Sequence, residues 1–261
     1  MNLTGQTALV TGASGGIGAG IATALAARGA DLVLVARSAD KLQALAADLR
    51  ARHGRDVLVV PTDLSAPGAA GHLADTLADR PVDVLVNNAG FGLGGRLAET
   101  PDPARLSAMV TLNCTTLTEL TARFLPAMVA RRRGAVVNVA SLAGYYPVPG
   151  LAAYAATKAY VLSLTEALWA ETRGTGVRVV AVSPTVTETG FFDVAGEGAG
   201  AGMRRRSVDQ VVATFLDALD GDRPVVADGR ATEVVAALAR RAPRGALLRL
   251  AGPRFADRAS R

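Results

Sequence analysis

Thr7-Ala-Leu-Val-Thr11 runs directly into Gly12-Ala-Ser-Gly-Gly-Ile-Gly18, after which apolar residues recur at helical spacing through Ile21 and Leu25. The order reads as a short buried strand, a glycine turn and a helix. Glycines at 12, 16 and 18 leave the backbone open to close approach, and the helix that follows offers unpaired N–H groups and the positive end of its dipole. A diphosphate is the ligand that suits such a turn. The spacing here is Gly-x-x-x-Gly-x-Gly rather than the Gly-x-Gly-x-x-Gly fingerprint, and glycine turns also serve tight packing alone.

Working outward, the same alternation repeats. Asp31-Leu-Val-Leu-Val-Ala36 is a second strand, Lys41 to His53 an amphipathic helix with Leu42, Leu45 and Leu49 inward, and Val57 to Val60 a third strand leading to Asp63. A helix over Ala69 to Arg80 precedes the strand Val82 to Val86 and the segment Asn87-Asn-Ala-Gly90. Further strands are expected at Ala135 to Ala140, Val177 to Ser183 and Pro224 to Ala227, with a helix over Val208 to Leu219. Strands and helices alternating at these lengths predict an α/β fold, a doubly wound parallel sheet with helices on both faces. Residues 1–230 form its one domain, and 231–261 extend that domain with helix. Where the second strand ends, an acidic residue would bond a ribose 2′-hydroxyl, whereas an arginine suits a 2′-phosphate. Ala36 followed by Arg37 favours NADP(H) over NAD(H). Asp63 either caps the following turn or bonds an adenine amino group.

Composition narrows the rest. The 261 residues are 50% hydrophobic and 20% charged, a globular balance. Net charge is +5, but the basic residues are scattered arginines without aromatic interleaving, which argues against nucleic acid. Cys114 is the one cysteine and His53 and His72 are far apart, so no internal disulfide and no metal site is expected. The uncharged interval from Arg133 to Lys158 is broken by Gly144, Pro147, Pro149 and Gly150, and reads as strand, loop and helix rather than a membrane span. Met1 to Thr7 lacks the features of a signal peptide, and the cytoplasm is the expected compartment.

Tyr154-Ala-Ala-Thr-Lys158 carries the chemistry. On a helix, residues four apart are surface neighbours, so the phenol and the ammonium lie about one turn apart. A cation there is expected to lower the tyrosine from its ordinary pKa of about 10 by about two or three. A proton donor and acceptor so tuned serves the interconversion of alcohol and carbonyl.

Thr11-Gly12-x-x-x-Gly16-x-Gly18, Asn87-Asn88-Ala89-Gly90, Ser141 and Tyr154-x-x-x-Lys158 occur in this order over residues 5 to 190. As a set they resemble the short-chain dehydrogenase/reductase family in its compact, single-domain, Rossmann-like form. The resemblance implies a catalytic tetrad. Asn113 would anchor a proton-relay water, Ser141 hold the substrate oxygen, Tyr154 exchange the proton, and Lys158 bind the nicotinamide ribose while tuning the tyrosine. It implies that Gly12, Ser14, Gly16, Ile17 and Gly18 cradle the cofactor. Arg37, Asp63, Leu64, Asn88, Ala89 and Gly90 would line its path, with Tyr154, Lys158, Pro184 and Thr189 at the nicotinamide end. Asn87 and Gly90 are in part structural. Thr185 stands where the family usually has glycine after Pro184, which puts the local loop geometry in question. The implied enzyme is an NADP(H)-dependent oxidoreductase acting on a hydrophobic ketone, aldehyde or secondary alcohol, as a homodimer or homotetramer. Rival readings are a 3-oxoacyl-thioester reductase and a non-catalytic NADP(H)-binding regulator.

Ligands of an open parallel sheet sit beyond the carboxyl ends of its strands. The loops there carry Phe91, Leu93, Leu142, Tyr145, Tyr146, Val148, Phe191 and Phe192 in a chain only 4% aromatic, which suggests an apolar cleft. The glycine-rich stretch Gly196 to Gly202 suggests a mobile lid over about 190–207. Arg204-Arg-Arg206 would attract an anionic carrier or form a solvated face. The tail from 231 to 261 would cover the substrate cleft, form a subunit contact or touch an anionic membrane.

Overall fold

The structure is a computed structural model that describes residues 2–99, 102–189, 205–243, 245 and 247–249. Phe191, Phe192, the stretch from Gly196 to Gly202 and Arg204 lie outside the described residues, as does the chain beyond 249. The expected lid is therefore seen only at its ends.

Seven strands form one sheet: β1 (Thr7–Thr11), β2 (Asp31–Ala36), β3 (Val57–Pro61), β4 (Val84–Asn87), β5 (Gly134–Val139), β6 (Val177–Ser183) and β7 (Val225–Ala227). Their order is β3-β2-β1-β4-β5-β6-β7, and every neighbouring pair is parallel. Parallel strands covered on both faces must be apolar on both, hence the continuous runs of Val and Leu. Successive side chains of β1 show the sorting. Ala8 and Val10 enter one core and Leu9 the other.

The first core holds α1 (Gly16–Ala27), α2 (Ala39–His53) and α7 (Val208–Asp220), through residues such as Ile21, Leu42 and Phe215. The second holds α3 (Ala69–Thr76), α5 (Leu117–Ala130) and α6 (Ala152–Glu171), through Leu73, Leu120 and Leu168. The doubly wound sheet is thus Rossmann-like, with helices on both faces. Because strand order reverses between β1 and β4, a crevice opens beyond their carboxyl ends, where Gly12 and Asn88 lie.

Several boundaries differ from expectation: α2 begins at Ala39 rather than Lys41, and β3, β5, α7 and β7 shift by one residue. The third helix ends at Thr76, not Arg80, and the fourth strand begins at Val84, not Val82. Asp83 is the reason for the late start of that strand. Its carboxylate is buried, where it accepts from the backbone N–H of Thr7 at 3.1 Å and from Arg133 at 3.0 Å, tying β1 to the start of β5.

A buried polar chain crosses the middle of the sheet. Asn87 Nδ2 donates to Thr121 Oγ1 at 3.1 Å and to Asn138 Oδ1 at 2.9 Å, and Asn138 Nδ2 donates to Thr165 Oγ1 at 2.9 Å. It links α5, β4, β5 and α6, so Asn87 is a structural residue. Between α4 (Pro103–Val110) and α5 the helix continues through one π-helical turn, Thr111–Thr116, which includes Asn113. Helix α8 (Arg230–Arg241) follows β7 at the edge of the sheet.

Candidate active site

The glycine turn after β1 is built by contact. A Cβ on Gly12, whose φ is +67°, would lie 2.8 Å from Asn88 Nδ2 and 2.9 Å from Ala89 Cα. One on Gly18 would lie 2.3 Å from the Gly12 carbonyl oxygen. Neither position accepts a side chain. Thr11 locks the turn to the next strand: its hydroxyl donates to the Val86 carbonyl at 3.1 Å and accepts from the N–H groups of Asn88 and Ala89, each at 3.0 Å. Asn88 Nδ2 returns a bond to the Thr11 carbonyl at 2.9 Å. Thr11 was legible as part of a motif, but its clamp was not. The hydroxyl needs both strands to show its purpose.

From this cradle a cleft of about 530 Å³ extends along the carboxyl edge of the sheet. Gly12, Ser14, Gly16, Ile17 and Gly18 form its near wall, and Arg37, Asp63, Leu64, Asn88, Ala89 and Gly90 lie along it. Ser141, Tyr154, Lys158, Pro184 and Thr189 close its far end. Every expected cofactor residue therefore lines one cavity. Lys41 and Ser38 line the Arg37 corner as well, and neither was singled out from sequence. Lys41 lies four residues from Arg37, and that spacing was the available signal. Asp63 Oδ1 caps its own turn, accepting from Ser65 N at 2.9 Å and Ser65 Oγ at 2.6 Å. Those two bonds, with a smaller contribution from Arg37, hold its carboxyl below the usual range.

At the far end Ser141 follows β5 in extended backbone, and its hydroxyl accepts from Ala143 N at 3.2 Å. It also hydrogen-bonds the Tyr154 phenol. The turn from Leu142 to Gly144 lies tightly on α6, because a Cβ on Gly144 would come within 2.7 Å of the Lys158 backbone. Leu142 N donates to the Pro184 carbonyl at 2.9 Å, so the loop after β6, with Thr185 in place of glycine, remains joined to the serine turn.

The electrostatics depart from expectation. Burial pushes the Tyr154 phenol up to about 12, with the Ser141 bond opposing it, so the tyrosine is a neutral proton donor at pH 7 rather than a near-phenolate. Lys158 does not act on it as expected. Its Nζ lies 5.8 Å from the centre of the Tyr154 ring and donates to the Val139 carbonyl at 2.8 Å. Burial brings the ammonium down to about 8.

The side chain of Asn113 is engaged on both sides. Nδ2 donates to the Phe91 carbonyl at 3.0 Å and to Thr157 Oγ1 at 3.1 Å, while Oδ1 accepts from Phe91 N at 3.2 Å. Both amide protons are thus committed, and the side chain latches the strand loop to α6. Gly90 is fitted to that latch, since its Cβ would lie 2.9 Å from Asn113 Oδ1.

Beyond Tyr154 the cleft is apolar. Phe91, Leu93, Met109, Tyr146, Val148 and Leu151 pack into one cluster with the Tyr154 ring. Two long-range ties frame this end. Arg206 is not a solvated cation: its Nε pairs at 2.6 Å with the fully buried Asp228, and its backbone bridges Val186 and Glu188. On α8, Arg240 lies over the Tyr145 ring at 5.2 Å and pairs with Glu166 at 2.6 Å, while the Tyr145 hydroxyl meets Ser183 Oγ at 3.2 Å. The tail thus reaches the loop after β5 through its helix.

The family model for short chain dehydrogenase matches residues 6–199. A very-long-chain 3-oxoacyl-CoA reductase of Bos taurus is 34% identical over 188 residues, 71% of this chain and 60% of that protein. The chain therefore aligns with less than two thirds of that relative's length. A short-chain dehydrogenase from Sphingobium yanoikuyae, solved in complex with NADPH, is 36% identical with a TM-score of 0.83, covering 93% of this chain and 94% of that one. The bulky-bulky ketone specific alcohol dehydrogenase from Comamonas testosteroni is 30% identical with a TM-score of 0.78, covering 95% of each chain. With the glycine cradle, the Ser141–Tyr154 pair and Lys158 gathered on one cleft, the chain belongs to the short-chain dehydrogenase/reductase family.

Proposed function

We propose that the protein is an NADP(H)-dependent oxidoreductase of hydrophobic ketones, aldehydes or secondary alcohols, with Tyr154 as its general acid and base. The observation that carries this reading is the buried, protonated phenol of Tyr154, bonded to Ser141 where the glycine-walled half of the cleft meets its apolar half. The residues fit a dinucleotide. Gly12 and Gly18 leave space that any Cβ would fill, and Arg37, Ser38 and Lys41 line one corner of the cleft with two cations and a hydroxyl, groups that suit a 2′-phosphate. When bound, the nicotinamide supplies the hydride. In reduction, Ser141 and Tyr154 orient the carbonyl oxygen, and Tyr154 donates its proton to that oxygen as negative charge develops there. Lys158, still cationic at pH 7, lines the same wall of the cleft, where it would hold the nicotinamide ribose. In oxidation these proton movements reverse.

A second reading is reduction of 3-oxoacyl thioesters, supported by the name of the bovine relative. The argument from the arginine run is weaker than the sequence suggests, because Arg206 is committed to Asp228. The test is NADPH consumption against hydrophobic ketones, aldehydes and 3-oxoacyl thioesters, with NADH in parallel. Turnover of free ketones with NADPH supports the first reading. Activity confined to thioesters supports the second, and preference for NADH overturns the cofactor assignment.

A further inference from the structure

Helix α8 is sorted into two faces. Thr232, Ala236 and Ala239 are buried against the body of the protein, at spacings of four and three. The opposite face carries Val234, Val235 and Leu238, exposed by 58%, 40% and 63%. Arg230 and Arg241, both exposed, continue the same stripe at either end, four residues before Val234 and three after Leu238. The one carboxylate on the helix, Glu233, is paired with Arg223 at 3.2 Å. Among the described residues no protein group covers this apolar stripe.

Charge is concentrated in the same region. Residues 230–261 contain eight arginines and two acidic residues, a net +6, whereas the whole chain carries +5. The first 229 residues are therefore close to neutral, at −1.

We propose that the outer face of α8 docks on an anionic lipid surface, with Val234, Val235 and Leu238 entering the headgroup boundary and Arg230 and Arg241 meeting lipid phosphates. A basic helix with an aliphatic stripe between arginines matches both requirements of interfacial binding, apolar burial and attraction to negative charge. Long arginine stems reach past the apolar boundary to keep their heads at the surface. A second copy of the chain fits less well. Two such faces would oppose like charges, and a stable interface needs about 800 Å² from each partner, well beyond what three aliphatic side chains present. No helix among the described residues is long and apolar enough to cross a membrane, so the contact proposed is peripheral. Because Arg240 on this helix sits over Tyr145, a bilayer on α8 would lie beside the loop that carries Ser141.

The experiment is co-sedimentation of the full chain with vesicles of phosphatidylcholine, alone or mixed with phosphatidylserine, alongside Val234→Ser/Leu238→Ser and Arg230→Gln/Arg241→Gln. The parent is expected to bind the anionic vesicles at least about tenfold better than the neutral ones, with loss of binding at high salt. Each double variant is expected to weaken binding about fivefold or more with its melting temperature unchanged, since all four side chains are exposed. Equal partition to both vesicle types overturns the proposal, as does a serine variant that binds like the parent, which would mean charge alone. Sedimentation velocity supplies the remaining arm: self-association of the parent that the serine variant abolishes, without vesicle binding, assigns the face to a second copy and overturns the lipid contact.

Discussion

Replacing Lys158 with Met is expected to stabilise the protein at neutral pH while removing its activity. Burial lowers the ammonium from 10.5 to about 8, a difference that corresponds to about 3 kcal/mol of penalty on the charged, folded form. The sign follows from proton counts. Below pH 8 both folded and unfolded chains carry the proton, and the penalty is present in full. Between about 8 and 10.5 the unfolded chain binds more protons than the folded one, so stability of the parent rises with pH. Met keeps most of the stem volume but loses the bond to Val139 O, worth about 1 kcal/mol where the carbonyl borders a wet cleft. The net gain at pH 6.5 is therefore about 2 kcal/mol, declining through pH 8 and vanishing or reversing by pH 10. Urea denaturation of parent and variant without added nucleotide, at several pH values, measures this as a shift in midpoint at constant slope. A variant less stable than the parent at pH 6.5, or a difference independent of pH, would refute the reasoning.

Three further outcomes are expected. Arg37→Ala should raise the dissociation constant for NADPH by about 10- to 100-fold, the value of one charge-assisted bond, and leave that for NADH within about threefold, as titration calorimetry would show. Gly18→Ala, whose Cβ would lie 2.3 Å from a backbone oxygen, should cost about 1–3 kcal/mol of stability in urea and weaken NADPH binding with it. Arg240→Ala should lower kcat/KM for the carbonyl substrate by about three- to tenfold through release of Tyr145, with NADPH binding unchanged and Arg240→Lys partly restoring the rate.

Legibility in the sequence followed the range of the interaction. The strands were readable because a doubly covered parallel sheet demands unbroken apolar runs, and β2 and β6 match their expected limits. The fourth strand was misjudged because Asp83 sits among those apolar residues, and only Thr7 and Arg133, 76 and 50 residues away, reveal why its charge is tolerated. Motif residues fell where expected, since each reports a local backbone requirement: Gly12 a positive φ, Gly18 contact with its own turn. What spacing did not convey was direction. Tyr154 and Lys158 do share one region of α6, yet the ammonium reaches for β5 rather than the phenol oxygen. The amide of Asn113 likewise turns to Phe91 and Thr157, in a π-helical turn that no apolar periodicity encodes. Arg206 looked solvated because its partner Asp228 is remote in sequence.

The central claim is that Tyr154 transfers the proton. Its most direct test is the turnover of Tyr154→Phe with NADPH and the carbonyl substrate preferred by the parent, beside NADPH binding by the same sample. Loss of the phenol proton is expected to cut turnover at least about a hundredfold, while affinity for NADPH stays within about threefold. Turnover within about tenfold of the parent, with NADPH still bound, would contradict the account and move the proton to another group of the cleft.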